Sequence, residues 1–216
     1  MLFRSMLKSV IGMGLIGGMA LTVGCVGKGD TRYLDVRTPI AAVASQEQEP
    51  VKIVIEPFED RRADKSRIGQ RTHLWGGVTV FNVAGERPGE AIAQALADRL
   101  KSRGWRGRPW KVQVGQGSLV PDADIVISGQ VQEFSATAKS RVFSTVINTS
   151  NKLSVQAQNL SDKSTTIRSV EGAQSTTVFW FAEEDVQDLL TATLKDGIDR
   201  FIADTMISDR ALRPAH

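Results

Sequence analysis

Three kinds of hydrophobic patterning succeed one another along the chain. Val10 to Val23 is an uncharged apolar run of 14 residues with no periodicity. That is the length of a signal-peptide core and short of the ~20 residues a spanning helix needs. From Val51 the pattern turns β-like. Val51–Ile55 is a dense β-branched strand, and His73–Val83 is a second β-like stretch with a turn or bulge at Gly76–Gly77. Pro88 and Gly89 then open a helix, since proline suits the first helical position. Ile92, Leu96 and Leu100, with Ala93 and Ala97, form its apolar stripe, and Gly104 supplies the expected left-handed cap.

Trp110–Val114 reads as a strand, followed by strands over 124–131, 141–147, 152–159 and 165–172. Leu153, Val155 and Ala157 alternate with Ser154, Gln156 and Gln158, the period of a sheet with one wet face. Ser161–Ser164 is a hairpin turn, and such brief connections imply antiparallel neighbours. The third pattern, over 183–207, is helical. Val186, Leu189, Leu190, Leu194, Ile198, Phe201, Ile202 and Met206 recur at spacings of three and four. The expected fold is α+β: one domain over 50–208, with a mixed, mostly antiparallel sheet of about five to six strands packed against two main helices. Residues 209–216 read as a C-terminal tail. Residues 25–49 read as a polar linker of roughly 80 Å when extended, within which Tyr33, Leu34 and Val36 could form a short strand or dock on the domain.

The amino end carries the clearest chemistry. Arg4 and Lys8 precede the apolar run, no acidic residue occurs before Asp30, and small Gly24 precedes Cys25, the sole cysteine of the chain. Residues 1–24 therefore read as a signal peptide. Leu21–Thr22–Val23–Gly24–Cys25 resembles the lipobox of bacterial lipoproteins, although Leu21 stands four residues before the cysteine where that motif has leucine three before. The resemblance implies cleavage before Cys25 and acylation of its thiol, and several acyl chains hold a membrane stably. Val26 rather than Asp follows the cysteine, which in lipoproteins of sorting bacteria implies the outer membrane, with inner-membrane anchoring left open.

Composition narrows the function. The whole chain carries a formal charge of +3, but without Arg4 and Lys8 it has 25 cations against 24 anions. A general nucleic-acid reading loses its support. With Cys25 acylated, no disulfide or thiol chemistry remains. G-x-G-x-x-G at Gly12, Gly14 and Gly17 lies within the signal, not between a strand and a helix as a dinucleotide site requires. S-x-x-K at Ser5 and Lys8 lies there too.

The candidate binding feature is a basic cluster interleaved with aromatics: Arg99, Lys101, Arg103, Arg106, Arg108 and Lys111 around Trp105 and Trp110. Such a set could take an anionic lipid or glycan, or could simply be a solvated helix end favoured by the dipole. The loop Phe58–Gly69 interleaves both charges, either self-paired or as a polar contact surface. Val178–Phe181 is strongly apolar and is expected to pack in the core or dock a helix, a partner groove being the alternative. For hydrolysis the inventory is thin. His73 and His216 are the only histidines, no G-x-S-x-G elbow exists, and no His or Cys cluster offers a zinc site. Asp60 with Asp64, and Asp122 with Asp124, are the paired carboxylates, better explained by turns. The expectation is a non-catalytic protein without cofactor or metal.

Ile55–Glu56–Pro57–Phe58–Glu59–Asp60–Arg61, Ile68–Gly69, Ala123–Asp124 opening a strand to Gly129, and Val170–Glu171–Gly172 before the terminal helix together resemble the YajG-type lipoproteins of Gram-negative bacteria, over about residues 51–207. The resemblance implies an outer-membrane lipoprotein with its domain in the periplasm, no catalytic residues, and an accessory or binding role in cell-envelope maintenance or transport. The implied partners are the membrane, through Cys25, and an envelope protein.

Overall fold

The computed structural model describes residues 30–36, 51–103, 110–115 and 122–215. Counted among these, nine strands form one mixed sheet: β1 (Asp30–Leu34), β2 (Val51–Ile55), β3 (Glu59–Asp60), β4 (Gly69–Thr72), β5 (Val78–Val83), β6 (Trp110–Val114), β7 (Ile125–Arg141), β8 (Ser144–Asn159) and β9 (Thr165–Val178). Helix α1 (Pro88–Arg103) follows β5, and α2 (Glu183–Ala203) follows β9. The α+β expectation with a mixed sheet holds, but there are more strands than the five or six foreseen, and five of the eight strand pairings are parallel where a mostly antiparallel sheet was expected.

Strand β7 is the spine. One edge pairs along its length with antiparallel β8, which in turn pairs antiparallel with β9. The other edge takes β2, β3 and β4 in succession, all parallel to it. Beyond β4 lie antiparallel β5 and then β1, parallel to β5, while β6 runs parallel to β2 at the opposite end. A bulge between Val131 and Glu133 resets the pleat. Ile125, Ile127 and Val131 before it and Phe134, Ala136 and Ala138 after it are all buried. The extra residue therefore keeps both halves of the alternation on one face, which a continuous ladder would have flipped.

The strand expected over 124–131 runs on to Arg141 as β7, the one expected over 141–147 is broken by the Val142–Phe143 turn, and its remainder joins the one expected over 152–159 as β8. The gaps between them are polar or small, yet they stay in register. Thr149 and Asn151 are buried inward positions, and Thr149 Oγ1 lies 2.6 Å from Thr193 Oγ1 of α2. Both helices cover this inner face. The stripe of α1 is buried as expected, as are Val186, Leu190, Leu194, Ile198 and Phe201 of α2. The second helix approaches the sheet closely. A Cβ on Gly172 would meet Thr193 O at 2.9 Å, and one on Gly197 would meet Val170 Cγ1 at 2.8 Å.

Two boundaries need correcting. α2 ends at Ala203, and residues 209–215, expected as tail, belong to the fold: β10 (Thr205–Ser208) and β11 (Ala211–Pro214) form a hairpin. Its turn residues Asp209 and Arg210 both have positive φ, 51° and 61°, the conformation two-residue hairpins favour. Leu212 is buried, and its backbone N–H and C=O both bond the side chain of Asn159. Met206 continues the helical spacing, so periodicity alone could not end the helix. The linker is also shorter than expected, because Asp30–Leu34 is already part of the sheet, with Leu34 and Val36 buried.

Candidate functional site

The charged groups singled out above are mostly held by one another. In the 58–69 loop, Arg62 Nε and Nη2 grip Asp60 at 3.0 and 2.9 Å, and Arg62 Nη1 donates to Arg67 O at 2.8 Å. Arg61 pairs with Glu59 at 2.8 Å, and Arg67 with Asp64 at 3.0 Å. The loop is the self-paired kind. Asp124 takes Arg210 at 2.8 and 2.7 Å and the Lys52 N–H at 2.8 Å. Burial disfavours the Asp124 anion, but these donors outweigh it and hold its carboxyl below the usual carboxylate range. Asp122 lies 3.6 Å from Lys52 Nζ. All four candidate carboxylates are thus held by cations, as a structural rather than a paired catalytic use would have it. His73 Nε2 sits 2.8 Å from Thr79 Oγ1 across its own hairpin.

The basic–aromatic cluster is divided. Arg99 Nε and Nη2 bind both oxygens of Asp199 at 2.7 Å, joining α1 to α2, and that bond raises the Arg99 pKa. Lys101 Nζ is 4.0 Å from Asp98. Trp110 packs partly buried against the core, and Lys111 is exposed on β6. The side chain of Arg103 and all of Trp105, Arg106 and Arg108 lie outside the described residues, as do Cys25 and His216.

Open clefts flank the sheet. One of about 470 Å³ is lined by Leu34, Val36, Val83, Arg87, Glu90 and Gln94, with Arg87 paired to Glu90 at 2.8 Å. Another of about 250 Å³ lies over the Arg62 loop. Among the described residues no three His, Cys, Asp or Glu side chains group as metal ligands.

The most distinctive surface is one end of the sheet. Thr72 pairs with both Val78 and Lys139, Ser140 with Thr145, and Thr145 with Val178. The β4–β5 turn, the β7–β8 turn and the end of β9 therefore lie side by side. The first turn is closed by Gly76 N–H to His73 O at 3.2 Å, with Gly76 and Gly77 at φ 88° and 90°, so Leu74 and Trp75 take its central positions. The second has only Val142 and Phe143 at its tip. The third leads through Phe179 and Trp180 into α2.

Trp75 is 91% exposed, Phe143 86%, Phe179 81% and Trp180 91%. Leu74 and Val142 are exposed as well. The expectation that Val178–Phe181 packs inward is corrected at its centre. Val178 and Phe181 do touch the core, and Arg71 stacks 3.8 Å above the Phe181 ring, but Phe179 and Trp180 face outward. Phe143 adopts φ 61°, a left-handed conformation unfavourable for a bulky side chain and offset by no packing. Alternation placed these residues beside core positions in sequence. Only the register aligned the three connections at one end.

No family model and no curated protein matches the chain by sequence. Among solved structures, a DUF330-family protein from Xanthomonas campestris shares the fold: TM-score 0.50 at 9% identity, covering 82% of this chain and 93% of that one. Lipoprotein GNA1162 from Neisseria meningitidis superposes more loosely, with TM-score 0.36 at 12% identity over 68% of this chain and 97% of the other.

Proposed function

We propose that the protein is a bacterial lipoprotein of the YajG type. It is made with a signal over 1–24, acylated at Cys25 and anchored in the outer membrane with its domain in the periplasm. It acts there as a non-catalytic accessory or binding module in cell-envelope maintenance or transport. The observation that carries this reading is the sole cysteine, placed behind a small residue at the end of a 14-residue apolar run. The ion-paired carboxylates and the Thr79-bound His73 support a binding rather than a catalytic role. Among the described residues no helix is long and apolar enough to cross a membrane.

The test is metabolic labelling with an alkyne-bearing palmitate in a bacterial host. Wild-type protein should take up label and fractionate with outer membranes. Cys25→Ala should lose the label and accumulate as the longer precursor. Equal labelling of the two would remove the anchor.

A further inference from the structure

We propose that the aromatic end of the sheet, Leu74–Trp75, Val142–Phe143 and Phe179–Trp180, seats the domain directly on the bilayer that holds its lipid anchor. The inference rests on acylation of Cys25, and two independent features of the fold converge on it.

The first is the position of the anchor. Asp30 pairs with Thr79, Thr79 with Arg71, and Arg71 with Ala138. Asp30 thus enters the sheet only a few residues below the Val142–Phe143 tip. Four residues lie between it and Cys25, and the five steps of chain make a leash of at most about 17 Å when fully extended. The sheet along β7 is about 50 Å long. The short leash therefore holds the acyl chains near the aromatic end and far from the opposite end of the sheet. Trp110, paired with Val51 at the other end, is held away from it.

The second feature is the chemistry of the tips. Tryptophan and phenylalanine are the side chains that settle at the boundary between headgroups and acyl chains, the indole N–H remaining hydrated while the ring leaves water. Four exposed aromatics on three adjacent turns, one of them in an unfavourable backbone conformation, form a shallow wedge of that kind. Charge around it is mixed: Lys139 and Arg141 near the β7 tip, Glu183, Glu184 and Asp185 at the start of α2. The seat is therefore interfacial and not specific for anionic lipid. With the leash this short, a local concentration effect makes even weak insertion sufficient.

The experiment uses the full lipidated protein, its acyl label verified, reconstituted in phosphatidylcholine vesicles with and without lipid brominated near the top of its acyl chains. Bromine quenches tryptophan on contact. Trp75 and Trp180 are two of the four tryptophans, so up to half of the emission should be lost. The loss should vanish in Trp75→Ser/Trp180→Ser, which keeps Trp105 and Trp110 and, having changed only exposed positions, should unfold at the wild-type temperature. A labelled wild-type protein that is not quenched, or a double variant quenched as strongly as wild type, overturns the seat and leaves the anchor standing. Absence of the label removes the anchor itself, and the seat with it. If wild-type protein is unquenched and sediments in detergent as an oligomer that the double variant dissociates, the aromatic end is a protein–protein contact and the proposal is overturned.

Discussion

Phe143→Gly should stabilise the fold, the reverse of what most substitutions do. Phe143 occupies the second tip position of a two-residue connection with φ 61°, a place where Gly or Asn is usual. A non-glycine residue there costs roughly 1–2 kcal/mol. Glycine returns about 0.5–1 kcal/mol of that through its greater unfolded-state freedom. The side chain is 86% exposed, so little burial is lost. The net gain is about 0.5–1 kcal/mol, or roughly 1–4 °C in Tm for a domain of this size. Urea unfolding followed by tryptophan emission would show a higher midpoint at unchanged slope. The same variant should be quenched less by brominated lipid, because the wedge has lost one ring. A destabilisation of 1 kcal/mol or more would mean that the ring packs against something in the native state and that the strain argument is wrong.

Asp60→Asn should be strongly destabilising. The Arg62 side chain is 5% exposed against 23% for Asp60, and removing the anion strands a buried guanidinium at a cost of about 3 kcal/mol, readable as a lower urea midpoint. In Asp60, burial opposes ionisation but the Arg62 hydrogen bonds and charge prevail, so its carboxyl lies below its ordinary 3.8. A depressed pKa contributes stability that is complete above the unfolded value and lost as pH falls through the folded one. Wild-type protein should therefore lose stability below about pH 4, and Asp60→Asn should show a flatter acid limb; parallel pH profiles would contradict this. Leu194→Asp places an unpaired carboxylate where α2 meets the core and should abolish the cooperative transition in circular dichroism; a wild-type melting curve would place the buried face of α2 elsewhere.

Local chemistry already determined much of this protein from the sequence. Periodicity located α1 and most of α2, because helices carry their pattern within themselves. β-branched runs located β2 and the first half of β7, and the cysteine after an apolar run pointed to an anchor. The length of β7 and β8 was hidden because Thr149 and Asn151 face inward as polar residues where a sequence reader expects apolar ones, Thr149 bonding Thr193 of α2. The terminal hairpin was hidden because Met206 fits a helix, while Leu212 is held by Asn159 from a strand 53 residues away in sequence. The aromatic end could not be read at all without pairing. Leu74–Trp75, Val142–Phe143 and Phe179–Trp180 are far apart in the chain, and each alone looks like core. Strand register sets them on adjacent turns, and the parallel pairing of β1 with β5 brings the anchor's root to the same end. Register is a long-range property, decided by which strands bury which faces, and only the tertiary structure contains it.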